Sequence, residues 1–159
     1  MPGPVAPPIL PCLPGTRPST GRTLELLLVE DEPADASLLR AALRDAGSAV
    51  QMHHAVDAEH ALQRLQRPGA ALPDVLLLDI NLPRVNGREL LARLKADPQL
   101  APLPVVVVST SDAETDVQAA YALGAAGYLV KPVDMDVLIK AMACLCHYWG
   151  QVMRLPARR

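Results

Sequence analysis

The feature that most constrains the fold of this sequence is a set of short, largely apolar runs that end in polar residues. The run "VLLL" at residues 75–78 ends in Asp79, and the run "LELLLV" at residues 24–29 ends in Glu30 and Asp31. Consecutive apolar residues, without the alternation of a half-exposed strand, are typical of strands that helices cover on both faces. The runs therefore predict a parallel sheet between two layers of helices.

Five such strands alternate with five helical patterns along the chain. The other strands are predicted at about residues 49–55, 104–110 and 127–132. Apolar residues recur at helical spacing between the strands. These stripes are Leu38, Leu39, Ala42 and Leu43; Ala58, Ala61, Leu62 and Leu65; Leu90, Leu91 and Leu94; Val117, Ala120, Tyr121 and Ala125; and, in a last helix from about Asp134, Val137, Leu138, Ala141, Met142 and Leu145. The alternation predicts an α/β fold, a flavodoxin-like (βα)5 doubly wound sheet of five parallel strands in the order 2-1-3-4-5.

Polar residues gather at the carboxyl ends of these strands, the edge where open parallel sheets bind ligands. They are Glu30, Asp31, Asp79, Ser109 and Lys131. Three carboxylates and one ammonium leave a local charge of about -2. Like charges a few ångströms apart cost about 4 kcal/mol per pair at an effective dielectric constant of about 20. The cluster therefore predicts a bound divalent cation, and its oxygen donors favour Mg²⁺ or Mn²⁺.

This set of residues suits one kind of chemistry. A carboxylate beside a divalent cation, with an ammonium and a hydroxyl nearby, can attack phosphorus and become an aspartyl phosphate. Lys131 and the cation would stabilise the equatorial oxygens during transfer, and Ser109 would hydrogen-bond one of them afterwards. The pattern therefore predicts a phosphoacceptor.

Four motifs, "LLVEDEPAD", "LLLDINLPRVNGRELL", "VVVVSTSDAETD" and "GYLVKPVD", resemble in order and spacing the receiver domain of two-component response regulators. The resemblance covers residues 23–148. It implies that Asp79 is the phosphoacceptor, that Asp31 is a direct metal ligand and that Glu30 acts mainly through metal-bound water. It also implies that the backbone carbonyl of Asn81 completes the metal ligands of the protein.

The same resemblance assigns roles around the phosphoryl group. Lys131 binds that group, Pro132 follows it in a cis peptide bond, and Gly87 serves the turn after the third strand. Ser109 and Tyr128 form the conformational switch: the hydroxyl turns toward the phosphoryl group and the ring swings inward. Ser109 stands where threonine is commoner, and without a β-branch its rotamer is less restricted.

A narrower resemblance concerns the C-terminal part. "DAETDVQAAYALGA", "KPVDMDVL" and "CHYWGQVMRLP" resemble stand-alone regulators that are paired with bacterial phytochrome histidine kinases, which implies a sensor histidine kinase, of phytochrome type, as partner. Residues 149–159 are a C-terminal extension. The apolar stripe continues through Trp149 to Val152 or Met153, so we expect the last helix to reach about residue 153 and to form a homodimer contact. Two alternatives are that Trp149 folds back on its own domain and that Gly150 lets the tail bend into an arm.

Composition excludes several classes of protein. With 15 basic and 17 acidic residues among 159, the net charge of -2 predicts no direct binding of nucleic acid, and no segment has the roughly 18 apolar residues of a membrane span. The three cysteines, Cys12, Cys144 and Cys146, have neither zinc nor disulfide spacing and suit the reducing cytoplasm. Residues 1–22 contain seven prolines and are predicted to be a disordered tail.

Competing functions remain open at this point. After residue 148 we expect no output domain, so that the chain is a signalling protein rather than an enzyme and acts through a partner, an oligomer or onward phosphotransfer. A haloacid-dehalogenase-type phosphatase also uses an acid after a strand, a lysine and Mg²⁺, but it needs a second aspartate where this chain has Asn81. A receiver-like interaction module that is never phosphorylated predicts loss of a site residue, and none is lost.

Overall fold

The computed structural model describes residues 23–45, 49–82 and 86–157, so the predicted tail at residues 1–22 and Cys12 lie outside the described residues. Within these ranges five strands alternate with five α-helices, as the apolar pattern predicts. The strands are β1 (Leu24–Val29), β2 (Val50–Ala55), β3 (Val75–Asp79), β4 (Val105–Ser109) and β5 (Gly127–Val130). The helices are α1 (Pro33–Asp45), α2 (Ala58–Gln66), α3 (Gly87–Ala96), α4 (Glu114–Ala122) and α5 (Met135–His147).

All strand pairs are parallel, and the strand order is β2-β1-β3-β4-β5. This confirms the predicted flavodoxin-like, doubly wound sheet. The chain crosses from β1 to β2 at one edge and then returns to β3 on the other side of β1. The carboxyl ends of β1 and β3 are therefore neighbours, which creates a crevice at the switch point of the sheet.

Side chains of the central strands alternate between two cores, one on each face of the sheet. In β3, Leu76 and Leu78 face the core under α2, α3 and α4, whereas Val75 and Leu77 face the core under α1 and α5. Because a strand turns successive side chains to opposite faces, a strand covered on both sides needs apolar residues in sequence. All five residues of β3 are buried.

Three residues of the predicted helical stripes are exposed instead of buried. Leu38 is 48% exposed, Tyr121 51% and Val137 45%. Each precedes or follows a residue that takes the core position, such as Leu39 beside Leu38, and successive residues on a helix differ by about 100° in direction. In these three pairs of adjacent residues only one is buried, whereas both are buried at Leu90 and Leu91 of α3, so the width of the buried stripe differs between helices.

The last helix continues to Val152, close to its predicted end at about residue 153, but its final turn is not α-helical. After α5, the backbone forms a π-helical turn over Tyr148–Val152 and then becomes extended at Met153. The wider π-turn changes which residues share a face, so Trp149 packs against the core under α1 and α5 while Val152 remains 55% exposed. The structure thus agrees with the alternative in which Trp149 folds back on its own domain.

Within the described ranges, none of the helices combines the length and the apolar character needed to span a bilayer.

Candidate functional site

The predicted site residues meet at the carboxyl edge of the sheet. The register of β1 and β3 places Glu30 beside Asp79, because each lies one residue beyond a paired position. Ser109 ends β4, and the backbone N–H of Lys131, just after β5, donates to the Ser109 carbonyl at 2.7 Å. The parallel register therefore brings together residues that are far apart in the sequence.

The Lys131 ammonium lies among carboxylates. Its Nζ donates to Glu30 Oε2 at 2.9 Å and to Asp35 Oδ2 at 3.3 Å, and it lies 3.9 Å from Asp79 Oδ2. The other oxygens of the two buried acids accept backbone N–H groups: Oε1 of Glu30 at 3.2 Å and Oδ1 of Asp79 at 3.0 Å. Each buried carboxylate thus has one oxygen held by the backbone and one that faces the ammonium.

Burial sets the electrostatics of the cluster. It raises the pKa of the Glu30 carboxyl from 4.5 to about 7, although the hydrogen bond from Lys131 opposes this and the Asp79 charge adds to it. Burial alone would lower the pKa of the Lys131 ammonium, but the hydrogen bond to Glu30 and the surrounding negative charges outweigh it and raise that pKa. The ammonium stays charged, and among the described residues it is the one cation that forms ion pairs with Glu30 and Asp79.

The donor set fits a divalent cation. Glu30, Asp31 and Asp79 each offer one carboxylate oxygen, and these oxygens lie within 4.8 Å of one another. Asp31 is exposed, so the group opens to solvent on one side. Carboxylate oxygens beside water suit Mg²⁺ or Mn²⁺, which keep several waters in their coordination shell. The predicted contribution of the exposed Asn81 stays a prediction, although its N–H donates to Asp79 Oδ1.

The turn after β3 requires a glycine. A Cβ on Gly87 would lie 2.6 Å from the carbonyl oxygen of Asp79 and 2.6 Å from the Cα of Ile80, which is closer than real Cβ contacts. The Gly87 N–H donates to the Ile80 carbonyl at 3.1 Å, and Asn86 caps α3 by accepting from the Glu89 N–H at 2.9 Å. Gly87 therefore lets α3 begin directly against the backbone of Asp79.

The two predicted switch residues are linked through Ser111. The Ser109 side chain is fully buried, and its Oγ accepts the Ser111 N–H at 3.1 Å. Tyr128 is half-buried with its ring against the core under α2, α3 and α4, and its hydroxyl donates to the Ser111 carbonyl at 2.9 Å. The loop after β4 therefore connects both switch residues through the backbone of Ser111.

Ser111 also bonds to the helices on that side. Its hydroxyl donates to Asp116 Oδ2 at 2.6 Å, and Arg88 of α3 donates to the other oxygen of Asp116. The loop that carries the switch is therefore tied to both α3 and α4. Sequence reasoning missed Asp116 and Arg88, because nothing local relates residues 28 positions apart.

Sequence reasoning also missed two residues that contact Lys131 or Glu30. Its prediction of a cis peptide bond before Pro132 was wrong. Asp35 contacts Lys131, and His54 Nε2 lies 2.7 Å from the Glu30 carbonyl oxygen. The position of Asp35 in the first turn of the helix that follows Asp31 was the available signal. No peptide bond between described residues is cis, so the bond before Pro132 is trans, the form that X–Pro bonds ordinarily prefer.

Comparison with known proteins agrees with this geometry. Residues 26–143 match the family described as "Response regulator receiver domain". Response regulator Rcp1 of Synechocystis is 37% identical over 136 residues, which are 83% of this chain and 92% of that protein. The Mn²⁺-bound structure of Rcp1 has a TM-score of 0.75 at 36% identity, covering 84% of this chain and 99% of that one.

Several similar solved structures are named as phytochrome response regulators. The phosphorylated cyanobacterial phytochrome response regulator RcpA has a TM-score of 0.78 at 34% identity, and the match covers 86% of this chain and 100% of that one. The bacteriophytochrome response regulator AtBRR has a TM-score of 0.64 at 37% identity, with coverage of 76% and 91%. The narrower resemblance of the C-terminal motifs to phytochrome-paired regulators is thereby confirmed.

Proposed function

This chain belongs to the response regulator receiver family, and we propose that it accepts a phosphoryl group on Asp79 from a sensor histidine kinase. The observation that carries the proposal is the position of the Asp79 carboxylate: buried, at the switch point of the sheet, with Oδ2 3.9 Å from the Lys131 ammonium. Oxygens of Glu30 and Asp31 lie within 4.8 Å of Asp79, in a group that fits Mg²⁺. Nucleophile, charge stabiliser and metal ligands therefore share one crevice.

The reaction follows from these positions. An Asp79 carboxylate oxygen attacks phosphorus and forms a new P–O bond, and the P–N bond of a phosphohistidine breaks. Its electron pair leaves with the imidazole, which takes up a proton. Lys131 stabilises the negative charge on the equatorial phosphoryl oxygens, and Mg²⁺, when bound, supplies further positive charge there.

We propose that phosphorylation changes the conformation of the two switch residues, Ser109 and Tyr128, and of the loop between them and α4. The Ser109 hydroxyl turns from the Ser111 N–H toward a phosphoryl oxygen, and the loop after β4 follows because it is bonded to Ser109, Tyr128 and Asp116. Phosphorylation would thereby act as a local charge change that biases a two-state element. We propose two reactions for this chain, phosphoryl transfer to Asp79 and hydrolysis of the resulting aspartyl phosphate. Both are reactions of a cytoplasmic signalling protein.

A phosphate-affinity gel tests the proposal directly. Purified protein is incubated with acetyl phosphate and Mg²⁺, and the wild type is compared with Asp79→Asn, which keeps the size of the side chain but removes the nucleophilic charge. We expect a slower-migrating band for the wild type that needs Mg²⁺ and is absent from the variant. A well-folded wild type without such a band, from either acetyl phosphate or a kinase, would favour an interaction module that is never phosphorylated.

The partner is proposed to be a histidine kinase of phytochrome type. The names of RcpA and AtBRR, which state that role for those proteins, support it. The test measures initial rates of phosphotransfer from a radiolabelled phytochrome kinase and from an unrelated histidine kinase at equal concentrations. Faster transfer from the phytochrome kinase is expected, and equal rates would contradict this pairing.

The C-terminal extension is proposed as a homodimer contact. Tyr148 is 46% exposed and Val152 55% exposed on the segment after α5, and exposed apolar groups lose contact with water when two subunits pack. Val152→Asp is expected to shift sedimentation toward the monomer. Val56→Asp is the matched control, because Val56 is 51% exposed but precedes α2. If both variants sediment like the wild type, the proposed homodimer contact of the C-terminal extension is contradicted.

A further inference from the structure

The Lys131 ammonium is held on the α1 side of the site. Nζ lies 2.9 Å from Glu30 Oε2 and 3.3 Å from Asp35 Oδ2, both within hydrogen-bond range, but 3.9 Å from Asp79 Oδ2. An ammonium has three N–H donors, and these two partners engage two of them. The cation that would serve the phosphoacceptor is thus directed mainly at other carboxylates.

Asp35 differs from the other carboxylates in this cluster. It lies in the first turn of α1 and is not part of the group formed by Glu30, Asp31 and Asp79 that can share a divalent cation. Its side chain is 41% exposed, against 1% for Glu30. Its contact with Lys131 is also the longer of the two hydrogen bonds. The hydrogen bond to Asp35 is therefore the one that Lys131 can break at the lower cost in free energy.

We propose that Asp35 is a positioning residue, which competes with the phosphoryl group on Asp79 for the Lys131 ammonium. This rests on the proposed function, because it concerns the phosphoryl state of Asp79. A phosphoryl oxygen needs at least one N–H of Lys131, at about 2.8 Å in a charge-assisted hydrogen bond. Nζ lies 3.9 Å from Asp79 Oδ2, so it has to move toward the phosphoryl group to form that bond, and the 3.3 Å contact with Asp35 is the one that is given up. Asp35 thereby slows phosphorylation and weakens binding of a phosphoryl mimic.

Removing the charge of Asp35 gives a defined expectation. Asp35→Asn keeps the shape of the side chain but removes the negative charge that attracts the ammonium. We expect the phosphorylation rate with acetyl phosphate to rise about two- to fivefold, which corresponds to the modest contribution of an ion pair in which one partner is exposed to solvent. The apparent Kd for beryllofluoride, measured by ¹⁹F NMR with saturating Mg²⁺, is expected to fall by a similar factor.

Two further variants separate competition from a general charge effect. Glu32→Gln removes the same charge from the same stretch of chain, but Glu32 is exposed and its Oε1 accepts the Ala34 N–H at 3.3 Å rather than an N–H of Lys131. It should leave both quantities unchanged. Asp35→Glu keeps the charge and should behave as the wild type. The Kd for Mg²⁺ alone, measured for all four proteins, shows whether a change arises at the metal.

Each outcome decides the proposal. A gain confined to Asp35→Asn, with an unchanged Kd for Mg²⁺, supports it. Equal gains in Asp35→Asn and Glu32→Gln, or a gain explained by Mg²⁺ affinity, would overturn it. If the wild type is phosphorylated and Asp35→Asn matches it, only the role of Asp35 is lost. If the wild type neither takes up phosphoryl groups nor binds beryllofluoride, the phosphoacceptor function fails, and the role of Asp35 with it.

Discussion

At the carboxyl edge of the sheet, Glu30 and Asp79 each turn one carboxylate oxygen toward the Lys131 ammonium, whereas at the amino edge Asp74 and Lys95 bond to backbone groups. There, Asp74 Oδ2 accepts the Glu25 N–H at 2.9 Å. Lys95 Nζ, beside the loop that leads into β4, donates to two backbone carbonyls, at 3.0 and 2.7 Å. One sheet thus has two kinds of polar edge.

The difference lies in what can move. A backbone partner is fixed by the fold, so Asp74 and Lys95 hold one arrangement and close the ends of loops. A side-chain partner can turn away, so Lys131 can exchange one carboxylate for another oxygen. Burial also disfavours the charged form of an acid at this edge, as the raised pKa of Glu30 indicates, and shifts of this kind cluster at functional sites.

The largest expected effect comes from breaking the exchangeable cluster. Lys131→Met removes the ammonium and leaves Glu30 and Asp79 as buried acids without it. Removing one partner of a buried ion pair typically costs about 3 kcal/mol, and we expect a loss of that size in the free energy of unfolding near neutral pH with EDTA. Urea denaturation followed by circular dichroism measures it.

Measuring the stability of Lys131→Met with Mg²⁺ tests this prediction further. If the carboxylates bind a divalent cation, millimolar Mg²⁺ replaces part of the missing positive charge and restores part of the stability of Lys131→Met by ligand linkage. The same loss with EDTA and with Mg²⁺ would show that the carboxyl edge does not exchange one cation for another, and the contrast between the two edges would fail.

A smaller effect is expected at the amino edge. Lys95→Met removes charge-assisted hydrogen bonds to the carbonyls of Ala101 and Leu103, while burial, which lowers the Lys95 pKa, offsets part of their value. We expect a loss of about 1.5 kcal/mol that is the same with EDTA and with Mg²⁺, and phosphorylation like that of the wild type. A change in the phosphorylation rate beyond twofold would contradict a purely structural role for this edge.

The sequence predicts the fold well because a strand that is buried on both faces is a continuous run of apolar residues, which can be recognised locally. Residues 75–78 have no polar residue to turn outward, so they identify a central strand without any knowledge of its neighbours. The same logic locates Glu30, Asp79 and Ser109, since a polar residue directly after such a strand must lie at its edge. Predicting which residues are buried is less certain for helices. Leu38 and Leu39 are equally apolar, and only packing decides that Leu39 is buried.

The contacts within the site follow a different rule. Lys131 and Asp35 are separated by 96 positions, and their ion pair depends on where β5 ends relative to the first turn of α1. The Ser111 carbonyl, which accepts from Tyr128, is a backbone group that no side-chain motif encodes. The sequence therefore predicts which residues share the edge, but the partners that each one holds come from the assembled structure.

The smallest expected effect tests whether shape or charge matters at the amino edge. Asp74 is 6% exposed, and its carboxylate accepts from the Glu25 N–H at the start of β1. Asp74→Asn keeps an acceptor oxygen in place, whereas Asp74→Ala leaves that N–H without its side-chain partner. We expect Ala to cost about 1 kcal/mol in the free energy of unfolding and Asn clearly less. Equal losses would mean that the charge of Asp74, rather than its fixed acceptor, stabilises this edge, and the two edges would then differ less than their geometry indicates.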